Sequence, residues 1–215
     1  MRKLLTFLFV CPLLLNAQTP ADQVLARAKA YHDPQDVWPS LVTTFTFKET
    51  RPEGPDRSTI ISLNNGNSYM KINRNDEEVY EVNGEVAEVL KGDKDKERAL
   101  VLRNYYLYLW GLPMKLYDSN TPDISLAGDE KVEAVNCRVL RVAYEKDTWY
   151  FYFDEDSGRM LQYKFYQDAA ETKGELITLE DEIMVKGIKI PQKRSWYTLP
   201  EMEYLGTDIL EGVND

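Results

Sequence analysis

DTWYFYFDEDSGRMLQYKFY, residues 147–166, changes side-chain character at every second position on either side of a knot of turn-forming residues. A period of two predicts two strands, and Asp154-Glu155-Asp156-Ser157-Gly158 predicts the hairpin turn between them. With the loop at 154–158, Trp149 is expected to face Tyr163 and Phe151 to face Leu161. Trp149, Phe151, Phe153, Leu161, Tyr163 and Phe165 then share one face, while Tyr150, Tyr152, Met160, Gln162 and Lys164 share the other. The strand before it adds Leu140, Val142 and Tyr144 on one side and Arg138 and Arg141 near the other. One face of this sheet is aromatic and apolar, so another element must cover it.

The same alternation continues outward in both directions. VTTFTFKE places Thr43, Phe45 and Phe47 on one face; RSTIISL, SYMKINR, EVYEVN and EVAEVL follow, divided by Asn-rich turns and by Asn83-Gly84. Asn-Gly between alternating runs is the strongest short hairpin signal, since both residues tolerate positive φ. Later strands are expected at KVEAV, RVLRVAY, ELITLE, EIMVKGIKIP, RSWYTL and EYLGTDI. The reading is mostly β (α+β): a single large antiparallel curved sheet or half-barrel of roughly nine to eleven strands.

Two segments carry helical spacing. ADQVLARAKAY, residues 21–31, follows Pro20 and ends at Asp33-Pro34. From Glu97 to Trp110 there is neither Gly nor Pro, and Gly111 is the expected C-terminal cap. The stretch NYYLYLWGLPMKL, residues 104–116, is apolar over most of a helix's circumference, so it is expected to fill the concave face of the sheet. The first helix is expected to pack against the sheet.

The start of the chain reads as a secretory signal: Met1, Arg2, Lys3, an apolar run to Leu15, then Ala17. Residues 1–17 are expected to be removed, leaving 18–215 as one half-barrel domain. Cys11 raises lipidation as an alternative, but Val10 precedes it and Pro12 follows. Cys137 is then the one cysteine left, with no partner for an internal disulfide. Loss of Arg2 and Lys3 takes the formal net charge from −10 to −12. That balance excludes nucleic acid as a partner and disfavours an anionic membrane surface. No transmembrane anchor is expected, because the apolar run is too short to span a bilayer. The protein is placed in the periplasm, or outside the cell.

YHDPQDVW (31–38), NYYLYLWGLPMKL (104–116), DTWYFYFD (147–154) and YLGTD (204–208) occur in this order. Together they resemble a family of uncharacterised exported proteins of Gram-negative bacteria, over nearly the whole mature chain. More distantly, the meander with internal helices and the Asn136–Leu140 strand context resemble the periplasmic carriers and receptors of outer-membrane lipoproteins. That resemblance implies an open half-barrel whose apolar concavity holds acyl chains.

Sites of bond-making chemistry are poorly supplied. His32 is the only histidine, and at a helix end it serves equally well as a cap. One histidine and one mature cysteine make a zinc site unusual, and 154–158 lacks calcium-loop spacing. The acidic runs 76–78 and 180–182 alternate across a strand and do not form a carboxylate pair. No catalytic residue, metal ligand or cofactor is expected. The candidate ligand wall is Tyr105, Tyr108, Leu109, Trp110, Met114, Trp149, Phe151, Tyr163 and Trp196. The leading expectation is a non-enzymatic binding protein for a lipid, an acyl chain or a lipidated partner, gated by loop 111–118. An envelope protein-interaction module with no small ligand is the alternative, and a hydrolase built on loops such as 51–57 is a third.

Overall fold

The structure, a computed structural model, describes residues 18–93, 95–118 and 121–214. The expected signal segment and Cys11 lie outside the described residues. Helix α1 spans Pro20–His32 and begins with a reciprocal cap: Thr19 Oγ1 accepts from the Asp22 amide, and the Asp22 carboxylate accepts from the Thr19 amide. Five strands follow: β1 (Val42–Thr50), β2 (Arg57–Asn64), β3 (Tyr69–Arg74), β4 (Glu78–Asn83) and β5 (Val86–Lys91). Helix α2 (Lys96–Gly111) leads into β6 (Ile124–Val132), β7 (Val135–Ala143), β8 (Thr148–Asp154), β9 (Met160–Tyr166), β10 (Gly174–Val185), β11 (Ile188–Leu199) and β12 (Tyr204–Asn214).

All twelve strands form one open antiparallel sheet in the order β5-β4-β3-β2-β1-β12-β11-β10-β9-β8-β7-β6. The chain winds outward from β1 to one edge, then returns from the opposite edge until β12 pairs with β1. The β5-to-β6 connection must therefore cross the whole width of the sheet. Helix α2 makes that crossing on the apolar side, which is why it fills the concave face. Its residues Ala99, Leu102, Tyr106, Leu109 and Trp110 join one continuous core with Phe45, Phe47, Ile72, Tyr80, Phe151, Phe153 and Ile190. Each large side chain so buried contributes about 1.5–3 kcal/mol.

Three local expectations differ from the structure, each at an irregularity. The expected strand KVEAV contains a turn instead: β6 and β7 pair Val132 with Val135, and Glu133 sits at φ 53°. The three expected strands between 175 and 199 are two long ones. Strand β10 runs through Asp181 at φ 52°, which drops out of the pairing, and Pro191 of β11 sits beside that irregularity. Proline is tolerated there because the ladder is already interrupted. In the 148–166 hairpin Phe151 faces Tyr163 and Trp149 faces Phe165, two residues from the expected register. A bulge beside Phe153 pairs it with Met160, sending Met160 into the main core and Leu161 to a small opposite cluster with Cys137, Val139 and Tyr152.

The YHDPQDVW segment locks α1 to the sheet. The Nδ1 of His32 lies 2.8 Å from the Lys189 carbonyl, and its Nε2 accepts from the Met160 amide at 3.0 Å. Both ring nitrogens are used, so the buried imidazole is neutral and donates from Nδ1. Asp33 accepts from the amides of Val37 and Trp38 at 2.8 and 2.9 Å, which sets Trp38 against α2. At Gly111 an added Cβ would lie 2.5 Å from Trp38 Cζ2. Gly111 is the last residue of the helix rather than a left-handed cap, and its role is to admit the indole.

Candidate functional site

Three polar contacts pin the buried side of α2. Arg103 donates to the Gly84 carbonyl at 2.9 Å, in the β4–β5 turn. Tyr106 donates to Glu49 Oε1 at 2.7 Å. Arg194, wholly buried on β11, donates to the Leu109 carbonyl at 3.3 Å and lies 3.6 Å from the Trp110 ring. A cation there satisfies a carbonyl near the C-terminal end of the helix and complements its dipole. Burial pushes Arg194 down to about 10, still charged at neutral pH.

The remaining side of α2 is unusual. Val101, Tyr105 and Tyr108 lie at helical spacing on one stripe, with Val101 52% and Tyr105 42% exposed. Tyr105 stacks on Trp196 of β11, centroids 6.0 Å apart and planes 20° apart. One turn on, Tyr108 meets Trp149 of β8 edge-on at 5.2 Å and shares a 2.8 Å hydroxyl contact with Tyr144. Two openings flank this stripe. Beside Tyr105 is a cavity of about 400 Å³; beside Tyr108 is a shallower hollow lined by Tyr144, Trp149 and residues 145–147.

The cavity beside Tyr105 has an apolar wall of Val101, Tyr105, Trp196 and Leu205 and a polar wall of arginines and carboxyls. Glu49 and Asp208 are cross-strand partners on β1 and β12, so their side chains share the concave face. Glu49 is gripped by Arg57 at 2.6 Å and by Arg51 at 3.5 Å. Arg74 completes a relay, donating to the Tyr106 hydroxyl at 2.6 Å. Burial, then the neighbouring Glu49, pushes the Asp208 carboxyl up to about 7, against opposing pulls from Arg194, Arg51 and the Trp196 indole. Glu175 is also pushed up by burial. Arg98 stands exposed at the rim.

Of the aromatic residues singled out from the sequence, Tyr105 and Trp196 line the cavity, and Tyr108 and Trp149 line the adjoining hollow. Met114 lines a separate recess with Trp38 and Tyr117. Leu109, Trp110, Phe151 and Tyr163 are buried in the core; Trp110 packs 3.8 Å from Phe47. The polar wall was missed by a reading that followed aromatics. One signal was available: Glu49 continues the Thr43-Phe45-Phe47 alternation, a carboxylate in the phase of the core. His32 belongs to the scaffold, away from the cavity lining. Among the described residues no cluster of metal-ligating side chains is present, and no helix is long and apolar enough to cross a membrane.

The fold is shared with several solved structures. A LolA superfamily protein from Nitrosomonas europaea superposes with a TM-score of 0.59 at 11% identity, covering 92% of this chain and 94% of that one. A Vibrio parahaemolyticus domain provisionally named for outer membrane lipoprotein sorting gives 0.55 at 9% identity, covering 89% and 90%. A DUF1329 family protein from Desulfovibrio piger gives 0.54 at 11% identity, covering 92% and 93%. The distant resemblance to lipoprotein carrier half-barrels is met at the level of fold, which alone does not transfer function. None of the curated proteins matches the chain. Its sequence matches a family model over residues 3–212, and the chain belongs to that family, the family of unknown function DUF6503.

Proposed function

We propose that this protein binds a hydrophobic ligand, non-enzymatically, against the open face of α2. The ligand is a lipid, an acyl chain or the lipid of a lipidated partner. One observation carries the reading: exposed Val101 and Tyr105 and half-buried Tyr108 form a stripe beside Trp196 and Trp149, although Ala99, Leu102, Tyr106, Leu109 and Trp110 of the same helix are buried. A cavity of about 400 Å³ falls within the roughly 300–1,000 Å³ of small-molecule sites. Each methylene buried there contributes about 0.8 kcal/mol before the costs of association. The naming of the Vibrio structural neighbour for lipoprotein sorting supports a lipid-bearing ligand. We assign residues 1–17 as a cleaved export signal and 18–215 as the exported half-barrel, which puts this binding in the periplasm or beyond. N-terminal sequencing of the exported protein checks that assignment, with Gln18 expected first.

The test of binding is titration with dodecanol, an uncharged probe, read by tryptophan emission, to which Trp149 and Trp196 at the openings contribute beside the buried Trp38 and Trp110. A saturable change that is lost in Tyr105→Asp supports the reading. No saturable change with dodecanol or with a charged dodecyl probe overturns it. A second reading, docking of an envelope protein, rests on the free edge strand β5, where Val86 is 73% and Leu90 46% exposed. Charged substitutions at Val86 and Leu90 should then abolish capture of the partner and leave dodecanol binding intact.

A further inference from the structure

We infer that the cavity beside Tyr105 takes an amphiphile with an anionic head, a phosphate or carboxylate held by Arg51 and Arg98 while its apolar tail lies along Tyr105 and Trp196. This rests on the binding reading above and specifies its ligand. Arg51, Arg57, Arg74 and Arg98 converge on this one cavity in a chain whose formal net charge is −10. Two of them are committed to the fold: Arg57 to Glu49 at 2.6 Å, and Arg74 to the Tyr106 hydroxyl at 2.6 Å and to Glu78 at 3.4 Å. The other two are held more loosely. Arg51 reaches Glu49 only at 3.5 Å with its side chain 41% exposed. Arg98 is exposed and its guanidinium pairs with no carboxylate among the described residues.

The carboxyls do not cancel these two cations. Glu49 is already bracketed by Arg57 and Tyr106, and burial favours the protonated forms of Asp208 and Glu175. Planar guanidiniums match phosphate and carboxylate oxygens in pairs. The two walls also constrain the ligand jointly. A plain alkane covering this cavity would strip water from Arg51 and Arg98 and offer them nothing in return. A small free anion would leave Val101, Tyr105 and Leu205 open to water. An amphiphile satisfies both walls.

The test compares dodecyl phosphate, dodecanol and inorganic phosphate by tryptophan emission, below the micelle concentration and at low salt. Dodecyl phosphate should bind about tenfold or more tighter than dodecanol, as charge-assisted hydrogen bonds to one or two arginines supply. That preference should collapse in R51Q/R98Q and shrink with added salt. Equal binding of the two alkyl probes overturns the anionic head and leaves the hydrophobic site standing. Inorganic phosphate competing as strongly as dodecyl phosphate overturns the amphiphile in favour of a simple anion site. Binding of no probe overturns this inference and the proposed function together. The comparison within the wild-type protein decides these outcomes even if the double variant does not fold.

Discussion

Glu49 and Asp208 face each other across the β1–β12 pair, two carboxyls on the concave side where the outgoing and returning halves of the chain meet. Their surroundings differ. Arg57, Arg51 and Tyr106 hold Glu49, whereas Asp208 is raised to about 7 by burial and by Glu49 itself. Arg51, Arg194, Trp196, Tyr163 and Tyr105 also face Asp208. In the unfolded chain this aspartate loses its proton near pH 4. Between that pH and about 7 the folded state binds the extra proton, so this group's contribution to stability falls as pH rises through the window. Asp208→Asn should therefore stabilise the protein above pH 7 by about 2–4 kcal/mol and have little effect near pH 4. Urea unfolding at pH 4.5 and pH 8 checks this; an equal effect at both contradicts it.

His32 titrates with the opposite sign. Burial pushes its imidazole down to about 4, with Arg159 and Lys189 adding to the effect and the Lys189 carbonyl and Glu182 opposing it. The unfolded chain takes up this proton first, so stability from His32 is lost as pH falls from about 6.5 towards 4. His32→Ala should cost about 2–3 kcal/mol at pH 7.5, because the Met160 amide is left buried without an acceptor. That cost should shrink towards pH 4, and a constant cost across this range would contradict the neutral tautomer.

Gly111→Ala should destabilise, although alanine is the better helix former. The new Cβ would stand 2.5 Å from Trp38 Cζ2 and 2.5 Å from Lys115 Cγ. The lysine stem can swing aside; the indole, 5% exposed and set by Asp33, cannot. Overpacking of this kind costs about 1–3 kcal/mol. Thermal unfolding measures it, and a rise in Tm would show that the helix end has room to spare.

The sheet was legible because strict alternation over residues 42–91 and 138–166 leaves few other folds. Its irregularities were not. Asp181, a positive-φ position that drops out of the β10–β11 pairing, and Leu161, a bulge residue of β9, have no distinguishing composition; the first lies within a strand that sequence spacing divides, and the second re-phases its strand. Twelve strands stand where roughly nine to eleven were expected, and the KVEAV segment is the turn between two of them. At the site, aromatic residues were visible because they cluster along the chain. The polar wall draws on β1, β2, β3, β10 and β12, so it exists only once the two arms of the sheet meet.

Trp110 and Tyr105 should separate packing from binding. Trp110 is 3% exposed between Phe47 and Arg194, so Trp110→Ala should cost about 3–5 kcal/mol whatever the ligand. Tyr105, 42% exposed, should tolerate alanine for about 1 kcal/mol while losing the stack on Trp196 that walls the cavity. Unfolding midpoints of the two variants, measured without added ligand, decide this. Similar losses would place Tyr105 in the core rather than at a site.

Mass spectrometry of the exported protein, native and then after solvent extraction, tests the central claim most directly. A reproducible bound amphiphile that is present in the wild type and absent from folded Tyr105→Asp is the expected result. A clean polypeptide mass with nothing extractable, in protein that also fails to bind dodecanol, would contradict it.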